Sequence, residues 1–157
     1  MLLRYLSVFF ISMVPLLELR GAIPIAVGMG IEPIRAIVVC AVGNLLPVPV
    51  IYFFARRFLI WGLDKPYIGG ICRFFHEKGE RAGAKLSGKA GKVGLMLALT
   101  LFVGIPIPGT GAWTGTLGAS FLNMGAKETA ISVSLGVALA AIIMTTVSLV
   151  GVHVFGL

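Results

Sequence analysis

The stretch Gly104–Ala119 limits the possible folds of this chain most, because it interrupts a hydrophobic run with two prolines and five glycines, reading GIPIPGTGAWTGTLGA. The apolar segment before it, Val93–Val103, has 11 residues, which as a helix cover roughly half of a ~30 Å hydrocarbon core. The apolar segment after the break, Gly111–Met124, is also too short to cross comfortably. Residues 93–124 are therefore predicted to form a re-entrant hairpin of two half-helices, with its tip near the middle of a bilayer.

The tip of this hairpin is a candidate binding site. Irregular backbone at membrane depth is tolerated only where protein or a water-filled cavity satisfies its amide groups, and the N-terminus of a half-helix presents free N–H groups there. Pro106 and Pro108 are predicted to end the first half-helix and Thr110 to cap the second, so that amides and hydroxyls form an anion cradle. The spacing Gly111-x-x-x-Gly115 also favours close helix packing, which is compatible with binding. The candidate substrate-binding residues of this hairpin are Pro106, Pro108, Gly109, Thr110, Gly111, Trp113, Thr114 and Thr116.

Composition places the chain among membrane proteins. It has 157 residues, a mean hydropathy of +1.03 and only 12% charged residues, which indicates a single membrane domain, 1–157. Nine of the thirteen Lys and Arg lie in the segment 56–92, which also holds three acidic residues and so carries +6 of the formal net charge of +7. A basic loop in so apolar a chain is typical of the cytoplasmic side of a membrane protein rather than of nucleic-acid binding.

No pattern in the sequence indicates an enzyme or a metal site. Cys40 and Cys72 are isolated, and His76 and His153 have no partner at the spacing of metal ligands. We therefore expect no catalytic residues, no cofactor and no metal. The expected partners are the lipid bilayer, protons, and an anionic lipid or small-molecule substrate, with no nucleic acid.

The first part of the chain repeats the pattern of a short apolar segment, a break and a second short segment. Residues 1–31 are predicted to form a first re-entrant hairpin, broken at Glu18–Pro24, which reads ELRGAIP. A continuous helix over these residues would place Glu18 and Arg20 near the middle of the bilayer, so a hairpin is the better interpretation.

The other segments complete the predicted order of elements. Residues 34–55 are predicted as a transmembrane helix that is kinked at Asn44, Pro47 and Pro49. Residues 56–92 are predicted as a basic cytoplasmic loop with an amphipathic helix, and residues 130–155 as a second transmembrane helix. The apolar face of the amphipathic helix consists of Ile71, Phe74, Phe75, Ala82 and Leu86.

The order hairpin, crossing, basic loop, hairpin, crossing predicts an all-α integral membrane protein. It contains two inverted repeats, each a re-entrant helical hairpin followed by a transmembrane helix. With the basic loop in the cytoplasm, both termini lie outside, and the predicted location is the plasma (inner) membrane of a prokaryote, as a multi-pass protein. Two crossings leave little shell around four half-helices, so a homodimer or larger homo-oligomer is predicted.

Glu18 and Arg20 are the charged residues at the break of the first hairpin. Charged groups inside a bilayer are functional candidates by default, although a mutual ion pair that holds the hairpin tip would also explain them. Glu18 is the candidate for proton coupling, because a carboxyl group in a partly dry site can bind and release protons near neutral pH. Arg20 presents a planar guanidinium suited to a phosphate. The other candidate substrate-binding residues are Gly21, Pro24 and Asn44.

The two broken segments, ELRGAIP at Glu18–Pro24 and GIPIPGTGAWTGTLGA at Gly104–Ala119, resemble the small multidrug export protein family, which is related to the DedA membrane proteins. The resemblance covers nearly the whole chain. It implies a compact polytopic fold with two opposed re-entrant hairpins and, through DedA, proton-driven movement of anionic lipids, including polyprenyl phosphates. DedA proteins carry arginines in the second hairpin region, whereas this chain has no Lys or Arg between Val93 and Ala126, so the phosphate role falls on Arg20.

Three functions remain open. The leading hypothesis is a proton-coupled transporter or flippase for an anionic lipid or polyprenyl phosphate, whose head is held between the two hairpin tips. The alternative is a proton-coupled small multidrug exporter, in which Glu18 binds an organic cation and a proton in turn. A lipid-binding or assembly factor anchored by the basic helix would depend on the loop and not on Glu18.

Overall fold

All regular elements that the structure describes are α-helices, as the sequence predicts. The computed structural model describes residues 1–85 and 89–155. The helices are α1 (Leu2–Met13), α2 (Glu18–Gly28), α3 (Pro33–Leu45), α4 (Pro47–Gly62), α5 (Gly69–Lys85), α6 (Lys89–Gly104), α7 (Ala112–Phe121) and α8 (Ala126–Phe155).

Two stretches of helix are long and apolar enough to cross a membrane, Pro33–Gly62 and Ala126–Val154. The first consists of α3 and α4, which are separated only by Leu46. Pro47 begins α4, where its missing N–H has no intrahelical acceptor to lose. Both stretches are longer than predicted, since α4 continues past residue 55 and α8 begins before residue 130. Arg56 and Arg57 therefore lie on a helix and not in a loop.

The outer faces of the helices carry apolar side chains at helical spacing. Exposed large hydrophobic residues recur every four positions on α3 and on α6. They are Ile34, Val38 and Val42 on α3, and Val93, Leu97 and Leu101 on α6. Soluble monomers rarely expose contiguous apolar surface on this scale, whereas a bilayer requires it. These faces are therefore suited to contact with lipid.

The turn between α1 and α2 lies earlier than the sequence predicts. It consists of residues 14–17, and Glu18 is the first residue of α2, so Gly21 and Pro24 lie inside that helix. The physical reason is Pro15, which disfavours helical backbone at the preceding residue. Val14 is accordingly extended, with ψ 129°. The break predicted at residues 18–24 is therefore corrected to residues 14–17.

The turn between α6 and α7 lies within the predicted break. Helix α6 ends at Gly104, two residues before Pro106, and α7 begins at Ala112. Gly109 has a φ of 86°, a left-handed conformation that favours glycine. The turn of this pair is thus made by residues 105–111, as its prolines and glycines suggest.

Close approaches between helices hold the long segments against the short ones. Helix α8 packs against α6, α2 and α3, and α4 packs against α7. At the crossing of α6 and α8, a Cβ added to Gly136 would lie 2.8 Å from the carbonyl oxygen of Thr100, so only glycine fits. A Cβ added to Gly43 of α3 would similarly lie 2.7 Å from the carbonyl oxygen of Phe9 in α1. Small residues at these crossings are typical of membrane helix packing.

Helix α5 returns against the end of α4. Buried Cys72 packs on Gly62 so closely that position 62 has no room for a Cβ. Ile71 and Phe74, from the predicted apolar face, are exposed. The side chains of Phe75 and Ala82, and all of Leu86, lie outside what the structure describes. Of the predicted apolar face, the structure therefore describes only Ile71 and Phe74.

Basic residues concentrate at one end of the helical assembly. Lys92 at the start of α6 pairs with Glu128 at the start of α8, with 2.5 Å between Nζ and Oε1. At the opposite end, Arg4 of α1 donates to the carbonyl oxygen of Met29, 3.1 Å away. Nine of the thirteen Lys and Arg belong to the segment 56–92, which runs from α4 to the start of α6, and Lys127 lies at the start of α8. Only Arg4 and Arg35 lie at the other end, with Arg20 between.

Candidate functional site

The two short helix pairs, α1–α2 and α6–α7, meet near their turns. Glu18, the first residue of α2, forms one half of this contact. Its carboxylate accepts hydrogen bonds from the backbone amides of Ala112 (3.2 Å) and Trp113 (3.1 Å), the first two residues of α7. Residue Glu18 is only 5% exposed. A helix N-terminus has free N–H groups and a partial positive charge, so the carboxylate occupies a ready-made anion site.

Arg20 forms the other half of the contact, at the C-terminal end of α6. Its guanidinium donates to the carbonyl oxygens of Val103 (3.2 Å), Ile105 (3.1 Å) and Ile107. It also donates to the hydroxyl oxygen of Thr110, 2.8 Å away. The last carbonyls of a helix have no intrahelical donor and carry a partial negative charge, which a guanidinium can satisfy with several N–H groups at once.

Glu18 and Arg20 therefore bind the two helix ends of the other pair. The sequence left open whether they form a mutual ion pair or serve in function, and the geometry gives a third arrangement. Each charge faces the helix end of opposite sign, the carboxylate at the start of α7 and the guanidinium at the end of α6. The buried charge of Glu18 and the partly buried charge of Arg20 are thus compensated by helix ends and by hydrogen bonds, which an apolar environment requires.

Two further features fix this contact. The indole Nε1 of Trp113 donates to the carbonyl oxygen of Met13 (3.1 Å), at the end of α1. Glu18 itself has a φ of 47°, a left-handed conformation that is uncommon for a residue with a side chain. Such conformations persist only where the surrounding structure enforces them, and they occur often at functional sites.

Thr110 has a different role from the predicted one. Gly111, not Thr110, occupies the position before α7, and no side chain from that position caps the helix. The Thr110 hydroxyl lies 3.0 Å from the carbonyl oxygen of Ile105 and 2.9 Å from that of Ile107, and it accepts from Arg20. The capping of α7 comes instead from Glu18, because the chain brings a carboxylate from α2 to those amides.

Of the predicted site residues, five share this contact: Glu18, Arg20, Thr110, Gly111 and Trp113. The prolines at 106 and 108 and the left-handed Gly109 shape the turn that presents the carbonyl oxygens to Arg20. Gly21 and Pro24 follow Arg20 inside α2 and donate nothing to the contact in the residues described. Because proline has no N–H, Pro24 leaves the carbonyl oxygen of Arg20 without its intrahelical donor.

The remaining predicted residues lie apart from the charged contact. Thr116 is fully buried, and its hydroxyl donates to the carbonyl oxygen of Ala112 at 2.6 Å. Asn44 is 1% exposed at the end of α3, and its Oδ1 has no hydrogen-bond partner among the described residues. An unpaired buried acceptor is costly, so Asn44 is a place where a substrate or water could bind.

Thr114 lies on a cleft between α6 and α7. The cleft has a volume of about 270 Å³ and is lined mainly by apolar side chains, including Leu99, Phe102 and Met124. Gly115 and Gly118 lie on its α7 wall; Gly115 packs closely against Val103 of α6, whereas Gly118 faces open space. The cleft can accept an apolar group, but not a charge, because its lining offers almost no polar atoms.

The sequence predicts an anion cradle of amides at the start of the second half-helix, but it does not predict that Glu18 occupies the amides of Ala112 and Trp113. It also misses the carbonyl oxygens of Met13, Val103, Ile105 and Ile107. A signal was available, because Glu18 and Arg20 needed partners inside the membrane and the second break offered the free ends of two helices. Nothing in a single sequence, however, specifies which amide meets which carboxylate.

Comparison with known proteins identifies the family. The family described as "Putative small multi-drug export protein" matches residues 18–143, which include α2 to α7 and most of α8. No curated protein matches the chain, and no solved structure does. Because the match covers well over half of the sequence, the chain belongs to the small multi-drug export protein family.

Proposed function

We propose that this membrane protein is a proton-coupled transporter or flippase for an anionic substrate, a lipid phosphate or polyprenyl phosphate. The observation that carries the proposal is the pairing of Glu18 with the amides of Ala112 and Trp113, beside Arg20. These groups form an anion site that the protein's own carboxylate fills. Family membership supports a transport role in general, without specifying the substrate.

In this proposal the two short helix pairs are re-entrant, and the two halves of the chain are inverted repeats. The pair α1–α2 enters from the outside and α6–α7 from the cytoplasm, so their turns meet near the middle of the bilayer. The concentration of Lys and Arg at the α6–α8 end supports a cytoplasmic location for that end. A prokaryotic inner membrane and a homo-oligomer that shields the short helices complete the proposal.

The proposed coupling is an exchange of anions at the start of α7. A protonated Glu18 carries no charge and is a weaker acceptor, so its bonds to Ala112 and Trp113 are easier to break. The freed amides and the partial positive charge of the helix then bind the phosphate head of the substrate. Proton uptake and anion binding are linked in this scheme, because both require Glu18 to leave the same site.

Arg20 supplies the second contact for the anion. Its guanidinium already carries several hydrogen bonds to neutral carbonyl oxygens of α6, and a phosphate is a stronger acceptor than a carbonyl group. Part of its fork can turn to the phosphate while Thr110 keeps the remaining bond. The substrate then lies between the tips of the two pairs.

The second candidate function is export of small organic cations, and the cleft between α6 and α7 favours it. Its apolar lining suits the hydrophobic body of such a drug, and the family's description names this activity. A cation would then have to compete with the Ala112 and Trp113 amides for the carboxylate of Glu18.

Transport by the purified protein in liposomes distinguishes the two functions. The substrates are a fluorescent lipid phosphate and the cationic dye ethidium, each assayed with and without a pH gradient. We expect movement of the lipid phosphate that depends on the gradient in the wild type and no longer depends on it in Glu18→Gln. Movement of ethidium alone would replace the proposal by cation export. Failure to move either substrate, in protein that remains folded, would overturn both.

A further inference from the structure

The end of α4 carries an aromatic and basic surface that the transport proposal does not use. Phe54, Phe58 and Trp61 are all exposed, at spacings of four and three residues along the helix. The rings of Phe54 and Phe58 are stacked with centroids 6.3 Å apart, and those of Phe58 and Trp61 are 5.9 Å apart. Together they make a continuous aromatic face about two turns long.

Two cations border this face. Arg57 and the three aromatic rings line a cleft of about 240 Å³. The ammonium group of Lys65 lies 4.7 Å from the centroid of the Trp61 ring, within the range of a cation–π contact. In the residues described, no ion pair with an acidic side chain is seen for Arg57 or Lys65, so both keep their positive charge available.

The position of this face determines what can bind it. Tryptophan and basic side chains close to the end of a crossing helix are typical of the boundary between hydrocarbon and headgroups. Here they lie at the end of α4 near Gly62, on the side where most Lys and Arg are found. The exposed rings of Phe54 and Phe58 continue the same face along α4 away from Gly62, where they are suited to contact with an acyl chain.

We infer that this face, consisting of Phe54, Arg57, Phe58, Trp61 and Lys65, is a binding site for one anionic phospholipid. The phosphate group contacts Arg57 and Lys65, and an acyl chain lies in the aromatic cleft. A basic side chain near the membrane favours an anionic over a zwitterionic lipid by on the order of fivefold. The site is separate from the contact of Glu18 with α7, so it does not depend on the transported substrate.

Quenching of Trp61 fluorescence by brominated lipids tests the inference. The protein is reconstituted into vesicles that contain brominated phosphatidylglycerol or brominated phosphatidylcholine, and the signal of Trp61 is the difference between the wild type and Trp61→Phe. This difference removes the contribution of Trp113, the other tryptophan. We expect the anionic lipid to quench Trp61 at a lower mole fraction than the zwitterionic one, by roughly fivefold or more.

Arg56 provides a matched control. It is also exposed and lies one residue before Arg57, but it does not line the cleft. Arg57→Gln and Arg56→Gln remove the same charge, yet only Arg57→Gln should lower the preference for the anionic lipid, by on the order of fivefold. Equal quenching by both lipids in the wild type would overturn the site. An equal loss of preference in the two variants would also overturn it, because a general attraction of the basic end would then explain the result.

Discussion

Gly111 lies so close to the carboxylate of Glu18 that a Cβ at position 111 would overlap with both carboxylate oxygens. The backbone of Gly111 is extended, with a φ of 163°, so its conformation alone does not require glycine. The glycine is needed for space, because Glu18 must reach the amides of Ala112 and Trp113. The two residues come from opposite helix pairs, which makes their contact a direct test of the arrangement.

Gly111→Ala should therefore destabilise the protein. Overlap with a buried carboxylate that makes two hydrogen bonds should cost about 1–3 kcal/mol, with a lower midpoint of thermal unfolding in detergent. Gly118→Ala is the matched control, because a Cβ there meets nothing within 4 Å and alanine has the higher helix propensity. Gly118→Ala should leave the midpoint unchanged or raise it. Equal midpoints for the two variants would show that Glu18 does not bind α7.

Arg20→Lys should weaken the contact at the end of α6. Arg20 reaches three carbonyl oxygens and the Thr110 hydroxyl with one planar group, and the single ammonium of lysine cannot span them. We expect a lower unfolding midpoint for Arg20→Lys and a still lower one for Arg20→Met, which removes every hydrogen bond that the guanidinium donates to those oxygens. Arg4→Lys is the control, since exposed Arg4 makes one bond to Met29. A change as large in Arg4→Lys would contradict the special role of Arg20.

Much of the fold could be predicted from segment lengths. Short apolar segments flanking Gly104–Ala119 could not cross a bilayer as single helices, and the structure divides that region into α6 and α7. The charges at Glu18 and Arg20 predict a break at those residues, whereas in the structure Pro15 ends the first helix and the turn precedes Glu18. Charged residues can occupy the first turn of a buried helix when the ends of other helices bind their charges. A sequence pattern does not show which helix ends do so.

The candidate site could be predicted in its side chains and in the amides at the start of the second half-helix, but not in how these groups pair. Glu18 and Arg20 were identified because charges in a membrane need a reason. Their partners are backbone groups of residues 103–113 and the hydroxyl of Thr110. The sequence does not indicate that Thr110 binds Arg20, or that Glu18 and not Thr110 caps α7. Specific contacts between segments about 90 residues apart depend on packing of the whole chain. That packing is set by crossings such as Gly136 with Thr100.

The proposed orientation can be tested by cysteine labelling in intact cells. The background is a variant without native cysteines, Cys40→Ala with Cys72→Ala. Both cysteines are free and buried in the structure. In this background a membrane-impermeant thiol reagent should modify Met29→Cys and should not modify Lys65→Cys until the cells are opened, because the basic end faces the cytoplasm. The reverse labelling pattern would show that the protein has the opposite orientation in the membrane. Labelling of both positions from outside would contradict an odd number of crossings between them.

A substitution at Asn44 distinguishes most clearly between a structural and a functional role of a buried polar residue. Its Oδ1 is buried without a partner among the described residues, so Asn44→Leu removes an unsatisfied acceptor and keeps the same branched arrangement of side-chain heavy atoms. We expect the unfolding midpoint to stay the same or rise, since loss of such a group is nearly neutral or stabilising. Transport in liposomes should fall, because the anionic head of the proposed substrate loses the amide of Asn44, which can donate from Nδ2 or bind it through a bridging water.

Thr116→Val is the comparison for Asn44→Leu, because Thr116 is equally buried but its hydroxyl already donates to the carbonyl oxygen of Ala112. Removal of that satisfied bond should lower stability by about 0.5–1.5 kcal/mol. The unfolding midpoint should therefore stay the same or rise in Asn44→Leu and fall in Thr116→Val. Asn44→Leu should be stable but slow in transport. If Asn44→Leu unfolds at a clearly lower temperature than Thr116→Val, the amide of Asn44 has a structural partner. If it is stable and transports at the wild-type rate, Asn44 does not belong to the site.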